Sequence, residues 1–166
     1  MEWADADEAI AALFLEHARS LVRLARFFAD DRNAAEDLVQ EAFLRLRRSF
    51  HRIESPDRAA AYLRSIVLNL ARDHNRRGLM SLRHRMPEED SRLSAEDRIV
   101  MREDQQQVIN AVQALPRRQR DCLVLRYYMD LSIPDIATTL GISENSVKTH
   151  LRRGMAVLEA RLEATP

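Results

Sequence analysis

Apolar side chains recur along this chain at three- and four-residue steps, the spacing that gathers them on one side of an α-helix. Ile10, Leu13, Phe14, Leu21, Leu24, Ala25 and Phe28, with His17 in line, make one such stripe. Leu38, Val39, Ala42, Phe43, Leu46 and Phe50 make a second. Ser55-Pro56-Asp57 has the form of a helix start, with Pro in the first turn, where no intrahelical N–H bond is lost. The helix it opens turns Ala59, Leu63, Ile66, Val67 and Leu70 inward. Its predicted end is Arg76-Arg77-Gly78, with cations in the last turn and Gly beyond. Residues 79–103 break the pattern with Pro87, the acidic run Glu88-Glu89-Asp90 and few apolar positions, and read largely as a linker, with helix resuming from about Ser94. Val108, Val112 and Leu115 then share a face that Pro116 ends, and residues 117–129 turn Cys122, Leu123, Leu125 and Tyr128 inward. No stretch alternates as a strand does. The expected fold is all-α, two small helical domains over 1–78 and 101–166 joined by a flexible linker over 79–100.

Composition agrees. With 3 Gly and 5 Pro in 166 residues, the chain lacks the turn formers of a sandwich or barrel. Its single cysteine, Cys122, forms no internal disulfide or cysteine zinc site, which points to a reducing compartment. No apolar run approaches the roughly 18–20 residues that cross a bilayer, and the acidic start Met1 to Asp5 is unlike a signal peptide. A cytoplasmic protein without membrane insertion is expected. No HExxH, nucleophile elbow or phosphate loop is present, so neither an enzyme nor a cofactor is expected. The 26 basic and 26 acidic residues cancel, which argues against a bulk polycation, but they are not evenly spread. Residues 54–86 hold 7 bases against 3 acids, and 107–166 hold 8 against 6, with the acidic stretch 87–106 between them. All the bases but Lys148 are Arg, a planar fork suited to phosphate and guanine; GC-rich codon usage gives the same bias.

Residues 132–162 carry the most information. Ser132-Ile133-Pro134-Asp135 opens a short helix with Ile136, Ala137 and Leu140 inward, and the small Ala137 lets a neighbouring helix approach. Gly141 supplies the positive φ of a tight turn, and Ser143 caps a second helix that Val147 and Leu151 anchor. Glu144, Asn145, Lys148, Thr149, Arg152 and Arg153 then face outward. This is the form of a helix-turn-helix with its recognition helix; a solvated face of a helical bundle is the plainer alternative. LuxR-type regulators carry a very similar segment around Val147-Lys148-Thr149-His150-Leu151.

The first half distinguishes the two families. Glu36-Asp37-Leu38-Val39-Gln40-Glu41-Ala42-Phe43-Leu44-Arg45-Leu46 resembles the second region of bacterial sigma factors. The helix from Asp57 to Arg77, with Tyr62-Leu63-Arg64, Asn69-Leu70-Ala71 and Asp73, resembles their promoter-melting helix. Leu115-Pro116-Arg117-Arg118-Gln119-Arg120 with Leu125-Arg126-Tyr127 resembles the opening of the fourth region. In order and spacing, the chain resembles the extracytoplasmic-function group of the sigma-70 family.

That resemblance implies a factor that binds core RNA polymerase, directs it to promoters and assists melting. Its partners would be the clamp helices of the largest subunit, the flap region, promoter DNA and an anti-sigma factor. Asp37, Gln40, Glu41 and Leu44, with Arg45 and Arg48 nearby, match the clamp-docking face. The loop Phe50-His51-Arg52-Ile53-Glu54-Ser55 matches the one that captures a flipped minus-ten base, though Phe50 equally suits a core position. Arg58, Tyr62, Ser65, Asn69, Arg72, Asp73, Arg76 and Arg77 would line the non-template strand, Tyr62 standing where many relatives have Trp. Ser143, Glu144, Asn145, Ser146, Lys148, Thr149, Arg152 and Arg153 would meet duplex minus-thirty-five DNA. Gly154 falls inside this last helix, at about 1 kcal/mol against Ala, and implies close approach to DNA or to another helix.

Overall fold

The computed structural model describes residues 5–29, 31–81 and 103–164, with side chains from 75 to 81 left aside. Among these residues the secondary structure is entirely helical. Three helices form the first unit: α1 (Ala6–Phe28), α2 (Arg32–Ser49) and α3 (Pro56–Ser81), with a 3-10 turn over Phe50–Arg52. The second unit comprises α4 (Glu103–Gln113), α5 (Arg117–Leu123), α6 (Ile133–Leu140) and α7 (Glu144–Glu163), and α5 continues as a wider π-helical stretch over Val124–Tyr128. None of the helices among the described residues is long and apolar enough to cross a membrane.

Local chemistry sets the helix starts. Asp5 and Asp31 cap α1 and α2 by accepting the N–H of Asp7 (3.0 Å) and Asn33 (2.9 Å). Ser55 accepts from the N–H of Arg58 at 3.2 Å and so caps α3. Ser132 and Ser143 do the same for α6 and α7, accepting from Asp135 and Ser146. Gly141, at φ 67°, ends α6 in the left-handed turn expected of it.

In the first unit, Leu21, Leu24, Leu46, Leu63 and Val67 are sealed from solvent. Cys122, Val124, Leu125, Ile136 and Val147 do the same in the second. Four expectations need correction. Helix α3 does not stop at Gly78 but runs to Ser81, so it passes the expected start of the linker; a helical Gly costs only about 1 kcal/mol, and that does not end a helix. Phe14 and Val108, expected inward, are 46% and 40% exposed. Phe14 lies at the margin with its ring edge-on to Phe43, centroids 5.1 Å apart, and Val108 borders an open groove. The helix expected over 117–129 changes to π geometry from Val124, which inserts an extra residue into the turn. The remainder of the linker reading, including renewed helix from Ser94, lies outside the described residues.

The two units pack against each other. Their buried side chains form one continuous apolar cluster, and α3 lies along α6.

Candidate nucleic-acid interface

Three surfaces carry the residues singled out by sequence. On α2, Asp37 and Gln40 are exposed, and Leu44 is 50% exposed, a large apolar side chain left open to solvent. Glu41 holds Arg45 at 3.2 Å one turn on, while Arg48 is exposed. This face mixes acidic, basic and apolar side chains, and Phe14 of α1 packs against Phe43 of the same helix. The sequence pattern had assigned Phe14 to the interior; its exposure beside Phe43 is what only the fold reveals.

The second surface belongs to α3 and the turn before it. His51, Arg52 and Arg58 are exposed, and Ser55 is tied to the helix start. Phe50 is 9% exposed and belongs to the core cluster. The Tyr62 ring is half-buried, with its hydroxyl donating to Ser49 Oγ at 3.3 Å. Arg52, Arg58, Tyr62 and Ser65 line a polar cleft of about 480 Å³. Its opposite wall is Thr138, Thr139, Leu140 and Gly141 from the second unit, a juxtaposition that no periodic pattern announces. Further along, the Asn69 side-chain carbonyl accepts a hydrogen bond from Arg117 at 3.0 Å. The Nε of Arg72 is buried without a hydrogen bond and lies 3.8 Å from Asp73. The side chains of Arg76 and Arg77 lie outside the described ones.

The third surface is the outer face of α7. Lys148, Arg152, Arg153, Glu144 and Asn145 are exposed, and Thr149 is half-buried with its hydroxyl donating to the Asn145 carbonyl. Ser143 and Ser146 are held to one another at the helix cap. Behind this face Val147 and Leu151 are buried, and so is Gly154. A Cβ at Gly154 would fall 3.1 Å from Leu123 Cδ1 and 3.3 Å from Gln119 Cβ. The glycine therefore admits α5, not DNA. Arg118 completes the arrangement by donating to the carbonyl of Leu140, the last residue of α6.

Electrostatics follow burial. Asp121 is 2% exposed; burial pushes its carboxyl above the usual range, while the Arg120 guanidinium at 3.0 Å pulls it back. Burial lowers Arg117 from its ordinary value, and the charge of Arg72 lowers it further. Cys122, wholly buried, has its thiol pushed up to about 11 by burial. It is an inert core residue. An apolar groove of about 350 Å³, lined by Val108, Val112, Tyr127, Tyr128, Met155 and Leu158 among others, opens on the second unit, with Phe27 of α1 at its edge.

Residues 13–78 match the family model described as sigma-70 region 2, and residues 105–158 match that of sigma-70 region 4. A relative in Mycobacterium tuberculosis, ECF RNA polymerase sigma factor SigM, is 34% identical over 90% of this chain and 74% of its own. Among solved structures, CnrH in complex with the cytosolic domain of CnrY has the same fold, with a TM-score of 0.67 at 24% identity over 97% of this chain and 96% of that one. The sigma factor RpoE of Bartonella quintana, solved with the anti-sigma factor NepR, has a TM-score of 0.62 at 21% identity over 92% and 96% of the two chains. This chain thus belongs to the extracytoplasmic-function group of sigma-70 family RNA polymerase sigma factors, which bind core polymerase and direct it to promoters.

Proposed function

We propose that this sigma factor divides its work among the three surfaces. Residues 1–78 dock on the clamp helices of the largest polymerase subunit through Asp37, Gln40, Glu41 and Leu44, flanked by Arg45 and Arg48. The same unit takes the minus-ten element as single strand along α3. There Arg52, Arg58 and Arg72 meet phosphates, Ser65 and Asn69 meet base edges, and the Tyr62 ring borders the cleft that receives an unstacked base. Base-on-aromatic stacking contributes about 1–3 kcal/mol per base, enough to hold a base outside the duplex. The loop from Phe50 to Ser55, anchored in the core by Phe50, leads into this cleft and captures a flipped minus-ten base. Residues 79–100 tether residues 101–166, which set α7 in the major groove of the minus-thirty-five element. There Lys148, Thr149, Arg152 and Arg153 meet bases and phosphates, with the groove around Tyr127 left for the polymerase flap. The protein works by binding, not by catalysis, in the cytoplasm where polymerase acts. An anti-sigma factor, as bound by the Bartonella protein, covers the same surfaces when transcription is to be held off.

The observation that supports this reading best is the outer face of α7. Lys148, Arg152 and Arg153 stand exposed on a helix whose other side is locked to α5 at Gly154 and capped at Ser143. That is a rigid helix presenting cations, as groove reading requires. Run-off transcription with core polymerase on promoters selected from a genomic library tests it. Initiation should depend on this chain and fall to background with Lys148→Ala and Arg152→Ala together. Duplex binding with no gain in initiation would instead indicate a repressor-like regulator.

A further inference from the structure

Surplus positive charge gathers where α3 meets the second unit. A polar cavity of about 200 Å³ lies there, bounded by Ser65 and Asn69 of α3 and by Arg117, Arg118 and Asp121 of α5. Asp121 is buried, and its Oδ1 accepts two hydrogen bonds from Arg120, from Nε at 3.1 Å and from Nη2 at 3.0 Å. Arg117 has a weaker share of that carboxylate: its Nε stands 3.9 Å from Asp121 Oδ2, and its Nη2 donates to Asn69 Oδ1. Arg118 directs one N–H to the Leu140 carbonyl. Arg72 brings a further guanidinium, 3.8 Å from Asp73; its Nε is buried with no hydrogen-bond acceptor among the described residues. The guanidinium groups of Arg72, Arg117, Arg118 and Arg120 thus meet the carboxylates of Asp73 and Asp121, four positive charges against two negative ones. Burial holds Arg117 below its ordinary value, and Arg72, Arg118 and Arg120 add to that effect while Asp121 opposes it.

We propose that this cavity is a binding site for a small phosphoryl anion, held by Arg117 and Arg118 with Ser65 and Asn69 completing its shell. The chemistry selects that class. A phosphoryl group brings about two negative charges and three strong acceptor oxygens, which matches the surplus to be balanced. The forked N–H groups of Arg bind such oxygens in pairs. The Ser65 hydroxyl and the Asn69 side-chain N–H groups are neutral donors of the kind that orient an oxyanion. A carboxylate would bring one charge and two oxygens, and leave cations over. Size agrees. One water needs about 10–15 Å³, so a single bridging water does not fill the space, and pockets for drug-sized ligands begin at about 300 Å³. Asn69 and Arg117 are exposed and open the cavity to solvent. Ser65 and Leu140 also line the cleft beside Tyr62, so the two spaces adjoin. A free ion and the phosphoryl end of a nucleotide therefore present the same chemistry here, the second with its nucleoside in the adjoining cleft.

Calorimetric titration of the full-length chain with inorganic phosphate at about pH 8, with ionic strength held constant by sodium chloride, tests the site. One phosphate should bind per chain, saturably, in the millimolar range or tighter, and sodium acetate should show no such binding. Arg117→Gln with Arg118→Gln should weaken phosphate by at least about tenfold, as hydrogen bonds to a charged group are lost. Arg19→Gln with Arg47→Gln removes as many cations from exposed positions of the first unit and should change phosphate affinity by less than about twofold. Should the Arg117 and Arg118 variant disturb α6 through Leu140, Ser65→Glu tests the same site with every arginine kept. Its carboxylate occupies the cavity from within the chain and should also weaken phosphate by at least about tenfold. Diphosphate and guanosine triphosphate, titrated alongside, separate the sources. Equal affinities indicate that the phosphoryl groups alone are held, and tighter binding of the triphosphate indicates that the nucleoside enters the adjoining cleft. Absence of saturable phosphate binding overturns the proposal. So does acetate binding as tightly as phosphate, an equal loss in the two arginine pairs, or full phosphate affinity in Ser65→Glu.

Discussion

Helices α3 and α7 are both cation-bearing helices on small bundles, yet one is covered and the other is open. The outer face of α7 projects Lys148, Arg152 and Arg153 into solvent. The corresponding face of α3 has Ser65 and Asn69 against α5 and α6, with Thr139 buried beneath Arg64. Under the roles proposed above, the difference is one of ligand. A duplex groove takes a rigid helix from outside, whereas unstacked bases need a walled cleft, and a walled cleft made of polar side chains is also a surface that another part of the same chain can fill.

The strongest test removes the mount common to both. Asp37→Arg with Glu41→Arg should abolish co-purification with core polymerase and reduce promoter-directed transcription to background. Circular dichroism should be unchanged, because the like charges this places near Arg45 cost only a few tenths of a kcal/mol on an exposed helix. Retained co-purification would take the docking face off α2. Next in size, Arg152→Ala with Arg153→Ala should weaken duplex minus-thirty-five binding by about tenfold or more in the free chain. It should also reduce the slope of log affinity against log salt by about 2, as two phosphate contacts are lost. Asn69→Ala, in contrast, should leave duplex minus-thirty-five binding by the free chain unchanged. Anisotropy titrations across a salt series measure both, and equal sensitivity of the two faces would erase the contrast between them.

A smaller effect concerns what holds α7 in place. Gly154→Leu should destabilise the chain by about 1–3 kcal/mol through overpacking against Leu123 and Gln119. Gly154→Ala should change thermal stability by less than about 1 kcal/mol, because the helix propensity gained offsets a contact that the flexible Leu123 tip can relieve. The smallest concerns Cys122. Its thiol is raised by burial from an ordinary value of about 8.5 to about 11, so the folded state favours the protonated form. That contribution to stability is present below about pH 8.5 and is lost as pH rises towards 11. At about pH 8 iodoacetamide should modify Cys122 only as fast as the chain unfolds, which mass spectrometry over a denaturant series measures.

The helices themselves were legible because their apolar spacing repeats and their caps are short, local motifs: Ser55, Ser132, Gly141 and Ser143 all stand where the sequence places them. What escaped depends on neighbours that are remote in sequence. Phe14 and Val108 fit an inward stripe but lie at its margin, where neighbouring elements cover them only in part. The end of α3 escaped because glycine permits a stop without enforcing one. The polar contacts between the two units escaped for a different reason: Arg64 and Thr139, joined by a hydrogen bond, are 75 residues apart, and a single polar pair leaves no periodic signal. Gly154 was partly legible, since a helical glycine demands close approach, but only the fold identifies α5 as the neighbour.

That missing methyl has a consequence for how such a factor changes its target over time. The pose of α7 is set from behind, by backbone nearly touching Leu123 and Gln119, on the side opposite the exposed Lys148, Arg152 and Arg153. Under the role proposed for α7, exchanging residues 148, 149, 152 and 153 would therefore rewrite the address without moving the hand that holds it. A small scaffold of this kind is open to acquiring new regulons by surface substitutions alone.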